Sequence, residues 1–284
     1  MLMKRWTLLA ATALALGFAV LAGCSTLDER QRAWIFQPSD RSWSGGLAAA
    51  EGMEDVWIGY KAKASGDEQA TLHGLWLPAE QPTKAPVLLY LHGARFNVTG
   101  SAPRMRRMQE LGFSVLGVDY RGFGKSTQAL PSEESAYEDA RAAWDWLAKK
   151  YPDRPRYVFG HSLGGPIAIN LATEVNDESG TIVEGTFTSI ADVVSTSKWG
   201  WMPVSLLITQ RFEAARKVGK IGSPLLVVHG GEDRLIAPDL GRKLYEAAAQ
   251  PKLFMLVEGG SHHNTNSVGQ AQYRQALAQL FSLK

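Results

Sequence analysis

The stretch RYVFGHSLGGPIAINL, residues 156–171, limits what this chain can be more than any other. Tyr157, Val158 and Phe159 form an apolar run, Gly160-His161-Ser162-Leu163-Gly164 interrupts it, and an apolar, helix-compatible segment follows at once. This reads as strand, sharp turn and helix, with Ser162 at the apex and a glycine two places to either side. The spacing has a steric cause. A serine held in a strained turn needs neighbours without a Cβ, so that strand and helix can pass close together. Its Oγ then stands clear of the sheet, and the N–H of Leu163 points to where an oxyanion would form. A chain with 28 glycines meets the pattern G-x-S-x-G by accident often enough that its partners must decide.

The surrounding sequence supplies a setting for those partners. Val56 to Tyr60 and Leu72 to Leu77 alternate around Ser65-Gly66-Asp67, which reads as a hairpin. Val87 to Leu91 is a continuous apolar run, as expected of a strand buried on both faces. A helix near Ala102 to Leu111 precedes a strand at Phe113 to Val118, and Ser132 offers an N-cap to a helix that ends before Pro152. Strands at Thr181 to Thr186, Leu225 to Val228 and Lys252 to Val257 follow, with helices after Pro238 and Gly269. The alternation predicts an α/β protein with a mostly parallel sheet covered by helices on both faces, in one domain over 53–284. Segment 189–222 is less regular. Its apolar residues (among them Trp199, Trp201, Met202, Leu207 and Phe212) suit either an apolar wall or ordinary packing, and the segment is too short for a large lid.

A serine hydroxyl is a poor nucleophile at neutral pH and needs a base within hydrogen-bond reach, itself oriented by a third group. In doubly wound sheets ligands meet the carboxyl ends of the strands, so acid and base are sought just past strand ends. Asp233 follows the strand at Leu225, and His262 follows the strand at Lys252. Glu232 and Asp192 are rival acids, and His263 is the rival base. Asp119 also ends a strand, but its place before Arg121 and Gly122 suits a turn brace. Leu91-His92-Gly93-Ala94 suits the other half of an oxyanion hole, with the N–H of Ala94 joining that of Leu163 and His92 bracing the loop. Arg95, next along, either orients an acidic acyl group or is solvated.

Taken together, LHGA, DYRGFGKS (119–126), PSEESAYEDA (131–140), GHSLGG, HGGEDRLIAP and EGGSHHNT resemble the BEM46-like (ABHD13/ABHD17-like) serine hydrolases of the α/β-hydrolase superfamily. The resemblance runs over about 55–284. It implies the α/β-hydrolase fold, with an eight-stranded sheet and a small or absent lid. It also implies Ser162 as nucleophile, Asp233 as acid, His262 as base, and Ala94 and Leu163 as oxyanion donors. The reaction implied is hydrolysis of a carboxylic ester or thioester, EC 3.1 in class; a peptidase of the same fold or a binding protein without turnover are the rivals. Two departures stand out. Relatives read HGN where this chain has HGA followed by Arg95, and GAGHND where it has EGGSHHNT, so that His263 replaces an asparagine.

The amino terminus reads separately. Lys4 and Arg5 precede an uncharged run from Trp6 to Leu21, about 16 residues and short for a membrane span. Leu21-Ala22-Gly23-Cys24 resembles the bacterial lipoprotein lipobox. That resemblance implies a signal peptide over 1–23, lipidation of Cys24, and, with Ser25 following, an outer-membrane anchor facing the periplasm. Residues 24–52 are polar and glycine-spotted and read as a tether. The single cysteine leaves no internal disulfide. A net charge of +2 gives no basic surface for nucleic acid. No metal is expected, because the six histidines form no chelating cluster, and no cofactor, because Gly160 to Gly165 lacks the Lys-Ser/Thr ending of a phosphate loop.

Overall fold

Short, mostly apolar runs cannot face water on either side, and four of them are interior strands of the sheet. They are β3 (Val87–Leu91), β4 (Ser114–Val118), β5 (Arg156–His161) and β7 (Leu225–Gly230), buried along their whole length. The structure, a computed structural model, describes residues 25–41, 45–196 and 207–283 of the 284-residue chain. β1 (Glu54–Ala62) and β2 (Glu68–Leu77) make the hairpin, turning at Gly66 with φ +71°. β6 (Glu178–Glu184) and β8 (Lys252–Val257) complete eight strands in the order β1-β2-β4-β3-β5-β6-β7-β8. β2 runs antiparallel to β1 and β4; every other pair is parallel.

The helices are α1 (residues 25–36), α2 (Gly46–Ala50), α3 (Ala102–Glu110), α4 (Glu133–Lys150), α5 (Gly164–Glu174), α6 (Ile190–Ser195), α7 (Ala214–Lys217), α8 (Pro238–Ala247), α9 (Thr265–Val268) and α10 (Gln270–Phe281). They cover both faces. Trp144 and Leu147 of α4, Ile167 of α5 and Leu244 of α8 pack on one side, and Met105 and Met108 of α3 with Tyr273 and Leu277 of α10 on the other. The start of α4 is set as expected: Ser132 Oγ accepts from the N–H of Ser135, whose hydroxyl accepts from the N–H of Ser132, closing a capping box. Chain order reverses between β3 and β5, which opens a crevice at their carboxyl ends. Ser162 follows β5 and Ala94 follows β3, so both sit at that crevice.

One expectation is corrected here. Residues 25–41 are no loose tether: 25–36 are helical, Phe36 is fully buried, and its ring meets those of Phe212 and Phe123 at 5.8 and 6.5 Å. Polar composition hid this, because two apolar residues, Ile35 and Phe36, carry the attachment. Cys24, the signal segment and Trp199 to Met202 lie outside the described residues. Among the described residues no helix is long and apolar enough to cross a membrane.

Candidate active site

Ser162 has φ +55°, the left-handed region that a residue with a Cβ enters at a cost of about 1–3 kcal/mol. The turn is held by its backbone. The Ser162 N–H donates to Glu184 O at 2.9 Å, and Ser162 O accepts from the Gly165 N–H and from Thr186 Oγ1, both at 2.9 Å. The flanking glycines are required by contact. A Cβ on Gly160 would lie 2.2 Å from Gly164 O, and one on Gly164 would lie 2.1 Å from Leu91 O.

Loops after β7 and β8 bring the other two groups to this serine. His262 Nε2 lies 3.0 Å from Ser162 Oγ, and His262 Nδ1 lies 2.8 Å from Asp233 Oδ2. An ionised carboxylate only accepts, so Nδ1 carries the proton and Nε2 is left to accept from the serine hydroxyl. Asp233 and His262 are both buried. Burial alone would raise the Asp233 carboxyl. Hydrogen bonds from His229 and His262, and N–H donors at Leu235 and Ile236 (both 2.9 Å), outweigh it and hold the group well below the usual carboxylate range. Asp233 is therefore a fixed negative charge facing the imidazole.

The rivals are placed elsewhere. Asp192 Oδ2 accepts from Thr188 Oγ1 and Ser189 Oγ at the start of α6, Glu232 is exposed, and the His263 ring is exposed 5.3 Å from that of His262. Asp119 braces its turn: its Oδ1 accepts from the Val98 N–H at 2.6 Å, and its carbonyl accepts from Ser126 Oγ. His92 packs against Tyr120 and Phe123 with Nε2 3.5 Å from Asp119.

Among the described residues neither the Ala94 nor the Leu163 N–H meets an acceptor, which leaves two donors at the crevice. The Ala94 loop is held by a strap that sequence reasoning missed. The Arg95 N–H donates to Phe36 O at 2.9 Å and Arg95 Nε to Gln37 Oε1 at 2.8 Å. Asn97 donates through N–H to Arg41 O and through Nδ2 to Asp40 O. Residues 36–41 thus lie along the loop that positions Ala94, while Arg95 and Phe96 take φ +64° and +54°.

A second missed feature lies beneath the histidine loop. Arg104 of α3 pairs with Glu184 at 2.9 Å and donates to His263 O at 3.3 Å, and Tyr273 OH donates to the other Glu184 oxygen. His161 Nε2 lies 3.1 Å from His262 O. Burial, with Arg104 and His262 adding to it, pushes His161 well below the usual imidazole range, so it is neutral at pH 7. Arg104 and Glu184 are 80 positions apart, and such a pair leaves no local signature. Among the described residues no group of three or more histidine, cysteine or acidic side chains is arranged to hold a metal.

A serine hydroxyl within hydrogen-bond reach of an imidazole, with a carboxylate on the far side of that ring, is an arrangement suited to acyl transfer. The family described as serine aminopeptidase, S33, matches residues 81–212. An uncharacterized protein of Mycobacterium tuberculosis (strain H37Rv) is 31% identical over 195 residues, 68% of each chain. The lysophosphatidylserine lipase ABHD12 of Danio rerio is 30% identical over 196 residues, 62% of this chain, which spans about half (51%) of that lipase. A Pyrococcus furiosus esterase structure aligns with a TM-score of 0.66 at 18% identity, over 86% of this chain and 96% of its own. The chain belongs to the α/β-hydrolase superfamily.

Proposed function

We propose that this protein is a BEM46-like serine hydrolase that cleaves a carboxylic ester or thioester through an acyl-enzyme, anchored in the bacterial envelope by a lipidated Cys24 exposed when the signal peptide 1–23 is removed. The observation that carries the catalytic part is one chain of contacts: Ser162 Oγ to His262 Nε2 at 3.0 Å and His262 Nδ1 to Asp233 Oδ2 at 2.8 Å. Ser162 Oγ attacks the carbonyl carbon while His262 takes its proton, and Asp233 steadies the imidazolium. The oxyanion is met by the N–H groups of Ala94 and Leu163. His262 then gives the proton to the leaving oxygen or sulfur, and water, deprotonated by the same imidazole, releases the acid. Esterase and lipase relatives support the ester reading. The outer membrane facing the periplasm is the location this anchor implies.

A second reading, a peptidase on the same fold, is favoured by the description of the matching family. A fluorophosphonate probe, p-nitrophenyl esters of rising chain length and aminoacyl anilides separate the readings. Labelling lost in Ser162→Ala with ester turnover supports the proposal, and anilide turnover without ester turnover supports the peptidase. A folded chain that takes no label is a binding protein.

A further inference from the structure

Seven large apolar side chains stand exposed among the described residues, and four of them are Leu27 and Trp34 on α1, Leu207 in the segment α1 bonds to, and Leu235 just past Asp233. α1 is tied down by its inner residues. Gln31 Nε2 donates to Leu207 O at 2.7 Å, Gln31 Oε1 accepts from the Thr209 N–H at 2.9 Å, and Asp28 accepts from Gln210 Nε2 at 2.8 Å. Its outer side carries Leu27, Arg30 and Trp34, spaced i, i+3, i+7 and therefore in one stripe, with Trp34 63% exposed. Leu207 stands exposed beside that stripe, and Leu235 is exposed two residues past Asp233.

The sequence just ahead of residue 25 says what covers this face. Residue 25, in α1, directly follows Cys24 and the uncharged run Trp6 to Leu21. Leu27 is three positions from Cys24 in the chain, a reach of at most about 11 Å, and Trp34 lies about 10 Å further along α1 at about 1.5 Å of rise per residue. A bilayer that holds acyl chains on Cys24 therefore lies within reach of the whole stripe. Tryptophan and leucine settle at the boundary between headgroup and acyl chain, and an arginine between them meets anionic headgroups. The carboxyl end of the same helix fixes Arg95, one residue past Ala94.

We propose that the outer stripe of α1, with Leu207 and Leu235, docks on the lipid surface and sets the mouth of the Ser162 site against it, so that the substrate is an acyl ester of an amphiphile held in that bilayer. This rests on the Cys24 anchor and on the hydrolase reading above. The test uses the full chain, processed in a bacterial host and placed in vesicles of phosphatidylcholine with phosphatidylglycerol. Leu27→Cys, Trp34→Cys and Asp153→Cys variants carry a polarity-sensitive thiol dye; Asp153 is exposed in the loop before β5, at the amino ends of the parallel strands and so away from the crevice at their carboxyl ends. Expected are blue-shifted emission and quenching by spin-labelled lipid at 27 and 34, with neither at 153. A chain that floats with vesicles while all three dyes report water overturns the docking face and leaves the anchor standing. A chain that does not float, or whose own Cys24 takes the dye, overturns the anchor and this proposal with it. In an activity arm, Leu27→Asp with Trp34→Asp lowers turnover of a vesicle-borne long-chain ester about tenfold and leaves soluble p-nitrophenyl acetate unchanged. Equal change on both esters overturns the substrate assignment. No turnover of either by the unaltered chain overturns the hydrolase reading, while the dyes still decide the face.

Discussion

Replacing Phe36 by alanine separates a strap that shapes the site from a segment that merely packs on the domain. The ring is fully buried and meets Phe123 and Phe212, so its loss should cost about 3–5 kcal/mol of stability, the range for emptying a phenylalanine site in a core. Packing loss alone would leave kinetics unchanged in the molecules that remain folded. The structure argues for more. The Phe36 carbonyl holds the Arg95 N–H at 2.9 Å, and Arg95 is covalently next to Ala94, whose N–H is one of the two proposed oxyanion donors. Complete loss of such a donor costs roughly 100- to 1000-fold in rate, and a displacement of about 1 Å costs up to about 100-fold. A fall in kcat of about 10- to 100-fold is therefore expected. KM should hold within about threefold, because the oxyanion contact strengthens only as charge develops. The measurements are p-nitrophenyl butyrate kinetics and fluorophosphonate labelling rates below the unfolding temperature, with urea unfolding to confirm the folded fraction. A variant that loses stability yet labels and turns over at the wild-type rate refutes the strap, and so does a change confined to KM.

The two histidines should separate cleanly in the same assays: His262→Ala lowers kcat by about 10⁴-fold or more, and His263→Ala by less than about tenfold, since its exposed ring does not face the serine. Asp233→Asn should lower kcat by about 10⁴-fold. Its stability has a signed pH dependence. The native carboxyl is held below its ordinary value of 3.8, so its stabilisation is present above about pH 4 and lost as pH falls toward the depressed native pKa. The gap in urea midpoint between wild type and Asp233→Asn should therefore narrow on acidification, and a constant gap counts against the assignment. Glu184→Gln leaves Arg104 buried without its counter-charge and should cost about 3–5 kcal/mol in urea unfolding, with kcat falling as the support under His262 loosens.

What could be read from residues alone divides along a physical line. The strands at the sheet centre were legible because burial on both faces demands runs such as Val87 to Leu91 with no polar member. The elbow was legible because close approach at Gly160 and Gly164 excludes any side chain, leaving a local pattern of residue types. Asp233 and His262 were found because a parallel sheet sends every strand's carboxyl end to one edge, so position after a strand already predicts proximity. The choice of His262 over His263 is of another kind. Neighbours in a loop point to different sides, and only the bond to Asp233 shows which of them faces Ser162.

The misreading of residues 25–41 comes from the opposite situation. The composition of that stretch is polar because α1 lies on the surface and buries only a narrow inner side, so the average conceals the two residues, Ile35 and Phe36, that do the anchoring. Part of its remaining hold is through polar side chains such as Asp28, Gln31 and Gln37, which read as surface residues, and part is backbone to backbone, Phe36 O to Arg95 N and Arg41 O to Asn97 N, where a carbonyl acceptor is the same in every residue type. The pair Arg104 and Glu184 escaped notice for a related reason: each alone reads as an ordinary charge, and its burial becomes intelligible only once α3, β6 and α10 are packed together. The shared physical cause is that short-range sterics and burial on both faces impose residue types locally. Backbone acceptors and long-range ion pairs impose them only through the completed fold. Ser162, His262 and Asp233, which the structure brings within hydrogen-bond reach of one another, fall on the legible side, and the parts packed around them, Phe36, Gln37, Arg104 and Glu184, fall on the other.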